Sequence, residues 1–325
     1  GSVSSGASEQ VRRLAELQQI PVMTSPQAKG IIPEDSHLAA GVNSAVGPAK
    51  TVLPDTDLVI AIGTRLSLRG ISIDEMPPIL QIDVEQDQIG KQYPAELGIV
   101  GDAAETLTAL ISALTVDDSK LPKRRERAER LKKQFADEVI KLASPQVSVI
   151  DKISNVLPDD AIVVQGMTNI GYWSSAVLPM DSTRNYVTSS YFGTLGYAFP
   201  TALGCQTAFP ERKVVALCGD GGFMYSPQEL STAMRYGLNT VAVVFNNGAY
   251  GASKWDQQHQ FNGRFIGTDL FNPDFVAMAK SFGAEGIKTD ADNIEEGLAE
   301  ALALDKPTLL EVEIQNMMPP FQIVE

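Results

Sequence analysis

The sequence predicts an α/β protein built from two doubly wound, parallel-sheet domains, and three observations predict it. The chain has 325 residues, enough for two domains of ordinary size, each with its own core. Hydrophobic residues make up 44% and charged residues 20%, without a biased tract, which excludes disorder and a collagen-like repeat. Short β-type runs alternate with helical spacings twice along the chain, the pattern of parallel strands covered by helices on both faces.

Taken in order, the opening Gly1-Ser2-Val3-Ser4-Ser5-Gly6-Ala7 admits a loop, a tag remnant or a strand end. Ser8 then reads as the cap of a helix through Leu17. Strands are expected at 20–24, 57–63, 79–84 and 98–100, and Leu107, Leu110, Ile111 and Leu114 have the spacing of a helix that closes a first domain over 1–119. Residues 120–143 read as a linker helix with Leu131, Phe135, Val139 and Leu142 on one face. Its basic cluster Lys123-Arg124-Arg125-Glu126-Arg127 is expected to be a solvated face, given the interleaved acids. A second domain over 144–325 has strands at 161–165, 186–189, 214–219, 240–246 and 308–314.

The formal charge of −14 disfavours nucleic acid and an anionic membrane surface as partners. No apolar run approaches the ~20 residues of a membrane span and no basic-then-apolar leader opens the chain, so the expected location is the cytoplasm. Cys205 and Cys218 show no metal-ligand spacing and read as buried reduced thiols. Two histidines, His37 and His259, cannot build a multi-histidine metal site.

The chemistry falls at strand ends in the second domain, where ligands sit in doubly wound sheets. The strand ending at Cys218 runs into Gly219-Asp220-Gly221-Gly222-Phe223, which presents one carboxylate in a turn of nearly bare backbone. Ser226-Pro227-Gln228-Glu229 then has the form of a capping box with Pro at the first helical position. The next strand ends in Asn246-Asn247-Gly248-Ala249-Tyr250-Gly251. One carboxylate, one amide oxygen and one backbone carbonyl form a hard-oxygen set suited to Mg²⁺ or Ca²⁺, with too few ligands for an all-protein cage. A diphosphate over the glycines would supply the remaining oxygens. Either motif alone is equally an ordinary turn.

Together, Gly219-Asp220-Gly221, 24 further residues, and Asn246-Asn247 resemble the thiamine diphosphate motif of the decarboxylase and acetohydroxyacid synthase superfamily. The resemblance implies thiamine diphosphate and Mg²⁺ as cofactors, with Asp220, Asn247 and the Ala249 carbonyl as metal ligands. It places Gly219, Asp220, Gly221, Gly222, Asn247, Ala249, Tyr250 and Gly251 against the cofactor. Gly193-Thr194-Leu195-Gly196-Tyr197-Ala198-Phe199-Pro200 is similar to the segment whose apolar residue props the cofactor into its bent form. Leu195 would be that residue and is the one catalytic candidate, with Gly193 beside it. Gly166-Met167-Thr168-Asn169 resembles the second diphosphate-contacting loop, and Trp173 reads as core.

The stretches 28–34, 57–65 and 82–102 resemble the central domain of the same enzymes, so the implied fold is a Rossmann-like central domain followed by a thiamine diphosphate-binding domain. Some relatives hold FAD in the central domain. Gly41-Val42-Asn43-Ser44-Ala45-Val46-Gly47 departs from their loop, and FAD is not expected. The family order begins with a pyrimidine-binding domain, and the chain begins where the central domain begins. That domain, with its activating glutamate, is expected from a longer chain or a partner subunit; a non-catalytic cofactor-binding module is the alternative. The implied substrate is a small 2-oxo acid, undergoing decarboxylation, carboligation or both, in a homo-oligomer. The position of Trp255 looks closer to aryl-2-oxo-acid decarboxylases than to acetohydroxyacid synthases. Lys254 admits a role on a substrate carboxylate, but a solvated lysine is the simpler reading. Self-association is expected around Tyr197–Phe199 and the helix after Ser226.

Overall fold

The computed structural model describes residues 1–42, 52–53, 56–67, 76–189 and 192–320. The expected departure at Asn43 to Gly47 lies outside the described residues. The chain divides into two compact units, one of residues 1–142 with 179–183 and 324–325, the other of residues 143–178 and 184–323. All strand pairs within the sheets are parallel.

The first unit opens with helix α1 (Ser8–Gln18), followed by β1 (Val22–Thr24), β2 (Ala39–Val42), β3 (Val59–Ile62), β4 (Ile79–Asp83) and β5 (Leu97–Val100). Helix α2 (Ala103–Ala113) follows, capped by Asp102, whose carboxylate accepts from the Ala104 and Glu105 amides. Among the described residues β1 pairs with β2, and β3, β4 and β5 form a three-stranded sheet in sequence order. Val11, Leu14, Leu38, Ile82 and Leu107 are in its core. Ser8 does not cap α1. Ala7 takes that position without a side-chain bond, because Ala7 is itself buried in the core.

Helix α3 (Leu121–Val156) is broken at Ala143, where φ is −138° and ψ is 34°. Pro145 lies just beyond, and its missing N–H and its ring explain the break. Ala128, Leu131, Phe135 and Val139 form the buried stripe, whereas Leu142, next to the break, is exposed, as is Leu114 beyond the end of α2. The basic cluster is only partly the solvated face expected of it. Arg124 donates to the Gln18 side chain at 2.6 Å and Arg127 to the Val52 carbonyl at 3.2 Å, while Arg125 pairs with Glu129 one turn on. The two inward arginines fall three positions apart, one helical turn, on the side that carries Ala128 and Leu131.

The second unit contains β6 (Ile162–Gln165), α4 (Asn169–Val177), β7 (Tyr186–Thr188), α5 (Ala198–Ala208), β8 (Val214–Gly219) and the single turn α6 (Asp220–Phe223). Then come α7 (Glu229–Tyr236), β9 (Val241–Asn246), α8 (Gly251–His259), α9 (Phe275–Ser281), β10 (Glu285–Asp290), α10 (Ile294–Ala303) and β11 (Thr308–Glu313). The six-stranded sheet runs β10-β11-β9-β8-β6-β7. Val214 to Cys218 and Val241 to Phe245 are buried at every position, as a strand covered on both faces requires. Phe199, Phe223 and Phe275 pack on one another in this core, with ring centroids 5.2 and 6.2 Å apart.

Two strands were not legible. β2 is Ala-Ala-Gly-Val, with one β-branched residue, and the edge strand β10 is Glu-Gly-Ile-Lys-Thr-Asp, without a buried face. The capping box does not form. Residues 223–230 make successive turns, α7 begins only at Glu229, the Ser226 hydroxyl donates to the Gly196 carbonyl at 3.2 Å, and Glu229 accepts from Thr232. In the surface expected around Tyr197–Phe199, Ala198 and Phe199 are buried, whereas Tyr225, which packs beside Gly196, is exposed. Cys218 is buried, but Cys205 is only half-buried.

Candidate functional site

β6 has β7 on one side and β8 on the other, so the chain reverses its direction of travel across the sheet between β6 and β8. Crevices open at the carboxyl ends of strands where the order reverses. A cavity of about 250 Å³ lies there. Its walls come from the turn after β6, the Gly193–Leu195 loop, α6 after β8, the Asn247–Gly251 turn after β9, and the segment after β11. Of the residues singled out from the sequence, Met167, Thr168, Asn169, Gly193, Leu195, Gly219, Asp220, Gly221, Gly222, Asn247, Ala249, Tyr250 and Gly251 all line it. Gly166 does not; it sits behind the wall, its amide bonded to the Leu217 carbonyl at 2.8 Å, where a Cβ would stand 2.5 Å from that oxygen.

Among the described residues Asp220 is the only acidic one lining the cavity, and no described lysine, arginine or histidine lines it. Its carboxylate is 2% exposed and accepts from the Gly221 amide at 2.9 Å and from the Asn272 amide at 2.7 Å. Burial pushes the Asp220 carboxyl above the usual carboxylate range, against the opposing pull of these donors. A buried carboxylate facing a cavity without a cationic side chain suits a bound cation. Asn247 folds into a turn in which its Oδ1 accepts from the Ala249 amide at 3.2 Å, with Gly248 in the left-handed region at φ 65°. Among the described residues no group of three or more His, Cys, Asp or Glu could hold a metal, so an ion here would rest on one carboxylate with amide and carbonyl oxygens. Gly222 leaves the wall above α6 bare, where a Cβ would reach to 3.7 Å from Leu195, whereas the Cβ space of Gly221 is filled by the Tyr250 ring at 2.5 Å and by Leu270. The residues present therefore fit an Mg²⁺-bound diphosphate.

Asn169, which lines the cavity, also braces the segment after β11. Its amide nitrogen donates to Asn316 Oδ1 at 3.3 Å and to the Met317 carbonyl, while its Oδ1 is buried without a hydrogen-bond partner. Asn247 donates to the same Asn316 oxygen at 3.2 Å, and Asn316 returns a bond to the Gly251 carbonyl at 3.1 Å. Trp173 is fully buried and ties the same segment down through its indole N–H to the Met318 carbonyl at 2.7 Å. The sequence reading missed Asn272, Asn316, Gln315 and Met317. Nothing local marks them: Asn272 precedes the Asp274 cap of α9, and 314–318 follows the last strand as plain coil. Lys254 and Trp255 do not line the cavity; Lys254 pairs with Asp269 and Trp255 stacks on His259.

Family comparison agrees with this geometry. Residues 166–312 match the thiamine pyrophosphate enzyme C-terminal TPP binding domain, and residues 1–110 match the thiamine pyrophosphate enzyme central domain. The chain belongs to the thiamine pyrophosphate enzymes. It therefore comprises a central and a TPP-binding domain of that family, as the resemblance implied. The chain is 34% identical to the "probable acetolactate synthase large subunit" of Methanocaldococcus jannaschii, over 98% of its own length and 58% of that protein. It is 31% identical to the acetolactate synthase large subunit of Corynebacterium glutamicum, over 96% and 53%. It is 29% identical to the "probable 2-ketoarginine decarboxylase AruI" of Pseudomonas aeruginosa, over 96% and 56%. The chain thus spans a little over half the length of these curated relatives. No helix among the described residues is long and apolar enough to cross a membrane.

Proposed function

We propose that this chain is the central and cofactor-diphosphate-holding part of a thiamine diphosphate enzyme acting on a small 2-oxo acid, by decarboxylation, carboligation or both. The observation that carries the proposal is the buried Asp220 carboxylate facing a cavity without a cationic side chain, with Asn247 and Ala249 beside it. In this reading Asp220, Asn247 Oδ1 and the Ala249 carbonyl would hold Mg²⁺, and the bare backbone at Gly222 would let the diphosphate approach. Thr168, whose side chain makes no cap bond to α4, offers its hydroxyl beside Gly219, where a Cβ on that glycine would lie 3.3 Å from the hydroxyl oxygen. Leu195 presents an apolar surface across from Gly222 on which the cofactor would rest. When bound, the cofactor supplies the electron sink for breaking the bond beside a carbonyl, and the protein supplies position and electrostatics.

Among the described residues lining the cavity none offers a carboxylate other than Asp220, which the metal would occupy. The acid that activates the aminopyrimidine is therefore assigned to a pyrimidine-binding domain outside residues 1–325, in an oligomer. The test is calorimetry of thiamine diphosphate with Mg²⁺ on wild type and Asp220→Ala. Mg²⁺ is held through few protein oxygens, so the variant should lose measurable Mg²⁺-dependent binding. Unchanged affinity would refute the assignment. Turnover of pyruvate or benzoylformate at about 1 s⁻¹ or faster by this chain alone would refute the placing of the activating acid elsewhere.

A further inference from the structure

Glu311 is a carboxylate in a central strand of the sheet, 5% exposed, flanked on β11 by Leu309, Leu310 and Val312, which are wholly buried. Burying an acid there is costly unless it is bonded and used. Its Oε1 accepts from Asn246 Nδ2 at 2.8 Å and lies 3.8 Å from Lys288 Nζ at the sheet edge. Asn246 ends β9, and its Oδ1 accepts from Asn272 Nδ2 at 2.8 Å and from the Gly248 amide at 3.2 Å. Asn272 Nδ2 also donates to Asp220 Oδ2 at 2.7 Å. A continuous file of side-chain hydrogen bonds thus runs from β11, two strands over, to the carboxylate at the tip of β8.

The direction of every bond in this file is fixed by its ends. An ionised carboxylate only accepts, so Asn246 must present its NH₂ to Glu311 and its oxygen to Asn272. Asn272 must then present its NH₂, and that same group satisfies Asp220. With Gln in place of Glu311 the order of the file stays, because Asp220 still calls for the Asn272 NH₂ and the Gly248 amide for the Asn246 oxygen. What is lost is the charge-assisted bond that holds the far end of the file, so Asn246 and with it Asn272 grip Asp220 less firmly.

We propose that Glu311 is a positioning residue that sets the Asn246 and Asn272 amides and through them aims the Asp220 carboxylate at a divalent cation. The inference rests on the cofactor reading above for the identity of the cation. Its test uses the whole chain carrying ¹⁵N-asparagine, in wild type, Glu311→Gln, Asn272→Ala and the double variant. The Asn272 side-chain amide resonance is identified by its loss in Asn272→Ala and followed without metal. Mg²⁺ affinity is measured by calorimetry at saturating thiamine diphosphate. Glu311→Gln should shift the Asn272 resonance, although the two side chains do not touch, and weaken Mg²⁺ about ten-fold, the scale of one hydrogen bond to a charged group. Because Glu311 acts through Asn272, the double variant should be no weaker than Asn272→Ala alone. A purely structural role for Glu311 would give additive losses. An unmoved Asn272 resonance, or losses that add in full, overturns the inference. Failure of the cofactor reading is seen separately, as wild type that takes up no Mg²⁺, while the resonance still decides whether Glu311 orders the two amides.

Discussion

Replacing Gly251 by alanine sets two opposed effects against each other, and the structure decides the sign. Gly251 is the first residue of α8 and does not have a positive φ, so backbone strain plays no part. By helix propensity alone, alanine would stabilise by up to ~1 kcal/mol. A Cβ at this position would, however, stand 2.5 Å from Asn316 Oδ1 and 2.6 Å from Asn247 Nδ2. Both are held in place by the bonds Asn247 to Asn316 at 3.2 Å, Asn169 to Asn316 at 3.3 Å and Asn316 to the Gly251 carbonyl at 3.1 Å. Displacing Asn316 breaks at least two of them, at about 1 kcal/mol net each, and forces further adjustment of a packed wall. The expected balance is a loss of roughly 1–2 kcal/mol, which lowers Tm by about 2–8 °C in a domain of this size. Thermal unfolding followed by circular dichroism reads it, with calorimetry of Mg²⁺ and thiamine diphosphate expected to weaken in parallel as Asn247 moves. A Tm equal to or above that of wild type would show that propensity wins and that the three asparagines do not form a rigid wall.

Three further outcomes follow from packing and burial elsewhere. Burial lowers the Lys29 pKa from its usual value, against the opposing pull of Glu34 at 3.0 Å; between that lowered value and ~10.4 the unfolded chain binds more protons, so stability rises with pH across the window. Lys29→Met should flatten that rise, so that its stability relative to wild type, from urea unfolding at pH 7 and pH 10, falls toward the higher pH; a constant difference would contradict the linkage. Burial pushes the Cys218 thiol up to about 12, and also raises half-buried Cys205; iodoacetamide at pH 8 should leave Cys218 untouched in the folded chain and modify Cys205 slowly, with both reacting alike in urea, and rapid Cys218 labelling would mean that β8 opens. Phe223→Ala removes a ring packed between Phe199 and Phe275 and should cost about 3–5 kcal/mol by denaturant titration; a cost below 1 kcal/mol would show that the core collapses onto the space.

The sequence by itself determined the class of the fold, nearly all the strands of the second unit, and the two tips that carry Asp220 and Asn247. Strands such as Val214 to Cys218 announce themselves because burial on both faces demands an unbroken apolar run, and glycine and asparagine mark the turns that end them. The candidate ligands Asp220, Asn247 and Ala249 were legible as well, because each lies in one motif or the other. Only the tertiary structure decided what stands behind those motifs. Ser8 and Ser226 have the residue type of a helix cap, but core burial of Ala7 and the succession of turns after Phe223 shift the helix starts. The strand β10 was hidden because an edge strand with polar residues on both faces carries no alternation. Asn272, Asn316 and Glu311 reach the site from 52, 69 and 65 residues along the chain from their partners Asp220, Asn247 and Asn246. No local pattern encodes such pairings, because they arise from strand order: β11 inserts between β10 and β9, and that insertion alone sets the Glu311 carboxylate beside Asn246.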